Sequence, residues 1–339
     1  MMRSFRFFLL LFSVLPVALF AKGGIYGAFF GEENEFVCYP SVHRNFFLAI
    51  FAGVVLAGIF AWSRFRLKSK TAKQLSEKNK VIEEQNKDIL DSIRYASRLQ
   101  QALEPESDEL KKILPESFFY LRPRDIVGGD FYFVQEHQGK VVIAAIDCTG
   151  HGVPGAFLTF IGHNALRNAL EKTAGATPSE IIDAMNTEVK NSLGQQRPHN
   201  ELNDGMEVGL CVFDKQTREL NYAGAGTSLH VVSGGALTET KGMKCSVGSI
   251  QDHVKSPPPT HTLKLNAGDM FYMNSDGIPD QFGGPDGKKF QKERMKKMLE
   301  EISAQPVSQQ QSTIESRITE WMKGHHQTDD MLLLGVRVA

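Results

Sequence analysis

Five aspartates stand at the ends of apolar segments, where they could bind a divalent cation. Asp130 follows two glycines in IVGGDFYF, Asp147 ends the run VVIAAI, and Asp276 ends MFYMNS. Asp329 and Asp330 directly precede the last apolar run, MLLLGVRV. Half-buried carboxylates are costly unless a shared cation compensates their charge. Because hard oxygen ligands without His or Cys pairs suit Mg²⁺ or Mn²⁺, the pattern indicates a divalent cation site.

Each of these motifs also has an interpretation that involves no chemistry. Asp276-Gly277 at a strand end is typical of a turn, and Asp329-Asp330 is typical of a solvated loop. His151, in DCTGHGVPGA, is equally consistent with an ordinary loop histidine. The glycines and proline of that segment predict a turn leading into a helix, whose N-terminus could bind an anion. The segment matches neither the Walker phosphate loop nor the dinucleotide-binding glycine pattern.

Short apolar runs after about residue 114 predict the strands that position these aspartates. The runs are 141–146, 208–213, 219–224, 228–232, 261–265, 270–275 and 331–338. Amphipathic patterns predict helices near Phe157 and Ile181 and two more over 289–302 and 307–323. Many strands in succession with inserted helices predict an α+β layered sandwich and not an alternating parallel sheet.

The bulk composition excludes several classes of protein without choosing one. Apolar residues make up 42% and charged residues 23% of the 339 residues, which is enough apolar material for a packed core. The 38 Lys and Arg nearly balance the 39 Asp and Glu, so no basic stripe predicts nucleic-acid binding. The four cysteines form no CxxC pair, which argues against a structural zinc site and a disulfide framework.

The N-terminal part of the chain has the features of a membrane anchor. Residues 1–21 fit either a secretory signal peptide or a first membrane helix, and 22–45 would be a short extracytoplasmic segment. Residues 46–62 lack charges and are followed by a cluster of Arg and Lys, which favours a transmembrane helix over a buried core helix. The positive-inside rule then places the rest of the chain in the cytoplasm.

The segment over 63–113 is predicted to be a helical linker. Apolar residues recur every seven positions, at Leu75, Ile82, Ile89, Ala96 and Leu103. The second register of the heptad is polar and includes Asn79, Asn86 and Gln100. Two interpretations remain open: a single solvated helix, and a parallel coiled coil that makes the protein a homodimer and couples the membrane to the domain.

Six segments, in this order, resemble the SpoIIE/RsbU branch of the PPM superfamily, the metal-dependent protein phosphatase 2C-like enzymes. They are RPRDIVGGDFYF, AAIDCTGHGVPGAF, LNDGMEVGLCVFD, LNYAGAG, LNAGDMFYMNSDGIPDQFGG and TDDMLLLGV. The resemblance covers about 114–339. It implies an αββα sandwich with a two-metal site at one edge, preceded here by the transmembrane helix and the coiled-coil linker. Branch members often carry Asn-Pro after AGA, whereas this chain has AGAGTSLHVV.

The resemblance also implies roles for individual residues. Asp147 would bridge two Mn²⁺ or Mg²⁺ ions, and the backbone carbonyl of Cys148 would complete one coordination sphere. Asp276 and Asp329 would hold the second ion. Asp130 would bind a metal directly or through water. Two such cations activate a water for attack on phosphorus without a covalent phosphoenzyme.

Four further residues receive less definite roles. Arg124 could bind the substrate phosphate through two hydrogen bonds from its guanidinium group. The alternative is that Arg124 forms a surface ion pair. His151 could be the general acid toward the serine leaving group, although better-known relatives place a histidine two residues after the aspartate. Asp330 could be an additional ligand or could support the ligands. Asp204 resembles a recurring acidic position whose role the sequence does not define.

The resemblance predicts a protein serine/threonine phosphatase that acts on phosphoserine or phosphothreonine of a protein partner. In this branch the partner is typically a small anti-sigma-factor antagonist, which implies a partner-switching role in bacterial signal transduction. The alternative is a membrane-tethered binding module that keeps the PPM fold and signals by docking. Loss of Asp147 or Asp276 would be its mark, and both residues are present.

Overall fold

The computed structural model describes residues 40–173, 175–195, 203–249 and 256–339. The predicted signal peptide or first membrane helix over 1–21, and the predicted extracytoplasmic segment up to residue 39, lie outside the described residues. The chain divides into two units, Met1–Ile82 and Glu83–Ala339, which are described separately.

The first unit contains the beginning of one long helix, α1 (Pro40–Gln101). This is the helix of the described part of the chain that is long and apolar enough to cross a membrane. An 18-residue window in it has a mean hydropathy of 2.3, and none of that window is buried. A core helix of a soluble protein would bury most of such a window, so the alternative of a buried core helix is not supported.

The second unit contains the end of α1 and the remaining elements. Its other helices are α2 (Ser107–Ile113), α3 (Gly152–Lys172), α4 (Pro178–Ser192), α5 (Gly277–Asp280), α6 (Lys292–Ser303) and α7 (Val307–Trp321). Its strands are β1 (Ser117–Arg122), β2 (Asp130–His137), β3 (Lys140–Cys148), β4 (Met206–Asp214), β5 (Glu219–Ala225), β6 (Leu229–Ser233), β7 (Ala236–Thr240), β8 (His261–Lys264), β9 (Met270–Asn274), β10 (Phe282–Gly283), β11 (Lys288–Lys289) and β12 (Met331–Arg337).

The strands form two five-stranded sheets and one small hairpin. One sheet has the order β1-β12-β9-β6-β7, the other has the order β2-β3-β4-β5-β8, and β10 pairs with β11. Neighbouring strands in both sheets are antiparallel. In an antiparallel pair, the C-terminal end of one strand lies beside the N-terminal end of its neighbour. Residues that end one strand therefore meet residues that begin the next.

The two sheets pack face to face, and helices cover both outer faces. One cluster of buried side chains joins the second sheet to α3 and α4, for example through Leu166 and Ile182. Another joins the first sheet to α6 and α7 through Leu299 and Ile314. A third fills the space between the sheets. The predicted α+β fold, an αββα sandwich, is confirmed.

In strand β3, the run Val141–Ile146 is apolar at every position, and its surroundings explain why. Val142, Ala144 and Ile146 belong to the cluster beneath the helices. Ile143 and Ala145, on the opposite face, belong to the cluster between the sheets. Because successive side chains of a strand point to opposite faces, a strand covered on both sides must be apolar throughout. Asp147, which follows this run, lies at the end of the strand, where a charge is tolerated.

Candidate metal centre

Three neighbouring strands of the second sheet bring carboxylates into one row. Asp130 begins β2 and lies opposite Asp147 of β3, with their Cα atoms in register. Asp147 in turn lies opposite Glu207 of β4. The sheet thus places three acids side by side at the ends of these strands. Directly opposed like charges destabilise a sheet unless something compensates them.

The first sheet delivers two further aspartates to this centre. Asp276 follows β9 and Asp329 precedes β12, and these two strands pair with each other. Ser275 ties the strand ends together, because its backbone N–H donates to the carbonyl of Leu332 at 3.0 Å and its hydroxyl accepts from the backbone N–H of that residue at 3.0 Å. The hydrogen bonds keep the segment that begins with Asp276 beside the segment that ends with Asp329.

The pKa values show that these carboxylates interact across the two sheets. Burial, together with the negative charges of Asp276, Glu207 and Asp329, raises the pKa of Asp147 to about 7. Burial and the charge of Asp329 also raise the pKa of Asp276. Partial desolvation and the charge of Asp276 raise the pKa of Glu207. Neighbouring acids that raise the pKa of Asp147, Asp276 and Glu207 in this way make a site that favours a cation.

Asp130 is the most deeply buried member of the group. Its side chain is 3% exposed, and burial followed by the charge of Asp147 holds its pKa well above the ordinary range. Its Oδ2 atom is buried and has no hydrogen-bond partner within the described part of the chain. A buried carboxylate oxygen without a donor is costly, and a cation is the partner that would satisfy it.

The residues therefore fit a divalent cation in charge and in donor type, since all the donors are hard oxygens. Within residues 40–173, 175–195, 203–249 and 256–339, no three His, Cys, Asp or Glu side chains converge closely enough to hold one ion by themselves. Backbone carbonyls and waters are the ligands that Mg²⁺ commonly takes in addition to one or two carboxylates. The candidate ligands therefore remain Asp130, Asp147, Asp276 and Asp329, with Glu207 added.

Cys148 lies next to this group, and its thiol is unsuited to bind a metal. The thiol is buried, and burial together with the charges of Asp130 and Asp147 raises its pKa well above the ordinary value. Only the thiolate is a metal ligand. Cys148 could therefore contribute only its backbone carbonyl, as the resemblance implies.

Asp330 holds loops together in this structure. Its Oδ1 accepts a hydrogen bond from the backbone N–H of Arg124 at 2.6 Å, and its Oδ2 accepts one from Gly129 at 2.6 Å. It is 2% exposed. Both of its oxygens are therefore engaged by the loop that leads to Asp130.

Two glycines allow the strand-end loops to approach so closely. A Cβ atom at Gly129 would lie 2.5 Å from the carbonyl oxygen of Gly150. A Cβ atom at Gly277 would lie 1.8 Å from the carbonyl oxygen of Asp330. Both distances are far below van der Waals contact, so only glycine fits at either position.

His151 and Arg124 meet at one carboxylate, that of Asp125. The Nδ1 atom of His151 lies 3.2 Å from Oδ2 of Asp125. The Nε and Nη2 atoms of Arg124 lie 3.3 Å and 3.1 Å from the same oxygen. Asp125 and His151 are about half exposed. The predicted general acid and phosphate-binding residue are thus neighbours, and the alternative of a surface ion pair for Arg124 is also present.

Asp204 lies in a loop that is joined to the segment after Asp147. The backbone N–H of Thr149 donates to the carbonyl of Gly205 at 2.9 Å. The carbonyl of Asp204 accepts a hydrogen bond from the side chain of Gln195 at 3.2 Å. These contacts involve the backbone of Asp204 and of its neighbour Gly205, and they define no role for the carboxylate of Asp204.

Two residues of this region were not predicted from the sequence. Glu207 is the one acid within the run MEVGLCVF, and such a residue on a strand ordinarily faces solvent. Only its register opposite Asp147 identifies it. Asp125 follows Arg124 in the sequence, so it looks like an ion-pair partner, and only the fold shows its contact with His151.

Comparisons with known proteins agree with this geometry. The family model described as "Stage II sporulation protein E (SpoIIE)" matches residues 137–339. The SiaA-PP2C domain of Pseudomonas aeruginosa is 32% identical with a TM-score of 0.69, over 75% of this chain and 98% of that one. A comparison with curated proteins finds no match.

Two more distant structures share the fold. The PP2C phosphatase domain with a regulatory-domain fragment of the cell fate determinant SpoIIE from Bacillus subtilis is 18% identical with a TM-score of 0.53, over 66% of this chain and 63% of that one. The RsbU and RsbW domains of a Mycobacterium tuberculosis protein are 20% identical with a TM-score of 0.50, over 66% of this chain and 60% of that one.

Proposed function

Because the chain belongs to the SpoIIE family and carries the PP2C-type serine/threonine phosphatase domain of that family, we propose that it hydrolyses phosphoserine or phosphothreonine on a protein partner. The observation that supports this most strongly is the group of mutually destabilising carboxylates that both sheets contribute. Such a group has little structural value without a cation, because each acid lowers the stability of the others.

In this proposal, Asp147 would contribute to the binding of two divalent cations, Mn²⁺ or Mg²⁺. Asp276 and Asp329 would help to hold one of them, and Asp130, Glu207 and the carbonyl of Cys148 would complete the set. When bound, the cations activate a water and neutralise charge on the phosphoryl oxygens. The support is the position of Asp147, whose pKa responds to acids from both sheets.

Arg124 is proposed to bind the substrate phosphate. Its guanidinium contacts Asp125 through two nitrogen atoms, so it presents the forked geometry that also matches a phosphate. An incoming phosphate would compete with the exposed carboxylate of Asp125 for this fork. The exchange costs little, because exposed ion pairs contribute only about 0–1 kcal/mol.

His151 is proposed to protonate the leaving oxygen of the serine or threonine. Its Nδ1 atom faces Asp125, and a proton on Nδ1 would leave Nε2 as the second nitrogen of the ring. In the imidazolium form both nitrogens carry protons, so Nε2 can donate one to the leaving group while Nδ1 stays hydrogen-bonded to the carboxylate. Asp125 then keeps the ring oriented throughout the transfer.

We also propose that the protein is held at a bacterial inner membrane and acts in partner-switching signalling. The support for membrane attachment is the exposed apolar window of α1 and the basic cluster after residue 62. The support for partner switching is membership of the SpoIIE family. A small anti-sigma-factor antagonist is the proposed type of substrate. The alternative, a PPM-fold binding module without catalysis, would not need the acids that this chain retains.

Homodimerisation through the linker is a further part of the proposal. The side chains of Leu75, Ile82 and Ile89 on α1 are all more than half exposed. We expect Ile89→Asp to convert the full-length protein in detergent from dimer to monomer in light-scattering measurements, with Lys87→Asp on another face of the helix as the control. A monomeric wild-type protein would refute the coiled coil.

The phosphatase proposal is tested with the full-length chain in detergent and a phosphoserine protein, with Mn²⁺ or EDTA. We expect Asp147→Asn and Asp276→Asn to lose at least about 100-fold in activity, since even outer-shell partners of metal ligands contribute about 10- to 100-fold. Asp214→Asn is the matched control, because Asp214 ends β4 at the edge away from Glu207 and its Oδ1 accepts only local backbone N–H groups. Equal activity of all variants, or activity in EDTA, would refute the mechanism.

A further inference from the structure

Gln281 is a fully buried polar residue that no step proposed above uses. It directly follows α5, the short helix that begins after Asp276, and its side chain is 0% exposed. A primary amide has two N–H donors and one carbonyl acceptor, and each of these is costly to bury without a partner. The position of Gln281 therefore depends on the hydrogen bonds it makes.

The side-chain amide of Gln281 binds the loop that carries Asp329. Its Nε2 donates to the carbonyl of His326 at 2.9 Å and to the carbonyl of Phe282 at 2.8 Å. Its Oε1 accepts from the backbone N–H of Thr328 at 3.0 Å, and the hydroxyl of Thr328 lies 3.4 Å away. One side chain thus holds two positions of the segment that immediately precedes Asp329.

The backbone of Gln281 is itself held in place. Its carbonyl accepts hydrogen bonds from the indole Nε1 of Trp321 at 3.1 Å and from the backbone N–H of Phe290 at 2.8 Å. The ring of Trp321 packs edge-on against Phe290, with centroids 5.5 Å apart. These contacts hold the backbone of Gln281 in place, so its side-chain amide has a defined position beside the neighbouring loop.

Apart from the buried Asp330, which anchors the position after Asp329, the other contacts on this loop come from more exposed groups. The side chain of Gln327 donates to the carbonyls of Arg122 and Asp329, both at 2.8 Å. Arg124 reaches the carbonyl of Thr328 at 3.4 Å through one guanidinium nitrogen. Water competes with exposed contacts of this kind, whereas the amide of Gln281 is shielded from it.

We propose that Gln281 is a positioning residue that sets the distance between Asp276 and Asp329, and so sets the affinity of the centre for its second cation. The inference rests on the proposed function of these two aspartates as metal ligands. Asp276 is joined to Gln281 through the one turn of α5, while Asp329 directly follows Thr328. Without the amide, the hydrogen bonds between Ser275 and Leu332 still join the strand ends. The segment before Asp329 then loses its buried anchor, so the repulsion between Asp276 and Asp329 can move that segment outward.

Gln310 provides a matched control within the same unit. It is also 0% exposed, and its Oε1 accepts from the hydroxyl of Tyr272 at 3.0 Å while its Nε2 donates to the carbonyl of Gln305 at 3.0 Å. It contacts no residue of the loop before Asp329 among the hydrogen bonds of the described chain. Gln281→Met and Gln310→Met therefore remove equally buried amides, and only the first affects the loop.

The experiment measures Mn²⁺ binding to the full-length protein in detergent in two ways. One is the rise in the melting temperature as Mn²⁺ is added to metal-free protein, and the other is the Mn²⁺ concentration for half-maximal activity. For Gln281→Met we expect the Mn²⁺ affinity to fall by about tenfold or more, as for loss of an outer-shell partner. We expect kcat at saturating Mn²⁺ to recover to near the wild-type value, and Gln310→Met to bind Mn²⁺ as the wild type does.

A fall in stability alone, equal in the two variants and without a change in Mn²⁺ affinity, would overturn the proposal. If Gln281→Met does not fold, hydrogen exchange of the wild-type protein decides. The amide of Thr328 should then exchange slowly in EDTA although its side chain is exposed, and fast exchange would overturn the proposal. Failure of the proposed phosphatase activity is distinguishable, because it would show as inactive wild-type protein while the thermal response to Mn²⁺ remains measurable.

Discussion

Asp147→Asn should make the metal-free protein more stable at neutral and alkaline pH. Asp147 lies among Asp276, Glu207 and Asp329, and burial with these charges raises its pKa to about 7. An acid with a raised pKa in the folded state is protonated there more readily than in the unfolded chain. Its ionisation therefore lowers stability as pH rises above the ordinary value near 3.8, and the full loss is present above about pH 7.

The size of the effect follows from that pKa. The rise from 3.8 to about 7 corresponds to about 4 kcal/mol, because each pH unit is worth about 1.4 kcal/mol. This is an upper limit, since neighbouring acids can take up the proton instead and share the titration. Asparagine carries no charge at any of these pH values. We therefore expect a gain in the free energy of unfolding of about 1–4 kcal/mol at pH 8 and little or none at pH 4.

The assay is urea unfolding of the full-length protein in EDTA between pH 4 and pH 8, followed by fluorescence. The chain has two tryptophans, so Trp62→Phe as the background leaves Trp321, in the second unit, as the only indole. Asp214→Asn is the control. Hydrogen bonds from the Thr217 and Gln216 backbone lower the pKa of Asp214, so above about pH 5 this variant should run parallel to the wild type. Mn²⁺ should reverse the order, stabilising the wild type more than Asp147→Asn. Equal pH profiles for the wild type and Asp147→Asn would refute the electrostatic reasoning.

Three other substitutions test separate parts of the centre. Gly277→Ala should lower the melting temperature by several degrees, because its Cβ atom would lie 1.8 Å from the carbonyl oxygen of Asp330 and such overpacking costs about 1–3 kcal/mol or more; an unchanged thermal melt would contradict this. Arg124→Lys should raise KM for the phosphoprotein about tenfold with kcat little changed, since lysine loses the forked contact. Steady-state kinetics would show an unchanged KM if Arg124 served only as an ion pair. His151→Ala should lower kcat by about 10²–10⁴-fold with KM nearly constant, and an unchanged kcat would remove His151 from proton transfer.

Much of the architecture could be predicted from local patterns. The strands predicted over 141–146, 208–213 and 331–338 correspond to β3, β4 and β12, and the helices predicted over 289–302 and 307–323 correspond to α6 and α7. These segments have strong apolar or amphipathic patterns, because each is covered by other elements. Strands β1, β2, β7 and the two-residue strands β10 and β11 were not predicted. Of these, β7 lies at the edge of its sheet and is only partly buried, so its sequence carries little of the alternation that marks a strand.

Membership of the fold class and the identity of the aspartates at the strand ends were determined by the sequence. Both depend on residue type and on position along the chain, since an apolar run must be buried and its polar neighbours must lie at its ends. The predictions of a signal peptide, of a dimeric coiled coil and of individual ligands stay predictions.

Only the tertiary structure decided which acids face one another. Glu207 lies opposite Asp147 because β4 pairs with β3 in one particular register, and a shift by one residue would turn it to the other face. Asp125 reaches His151, and Gln281 reaches Thr328, across 26 and 47 residues of sequence respectively. Such contacts depend on how two sheets and their loops pack, and that packing is set by the sum of many small contributions across the whole core.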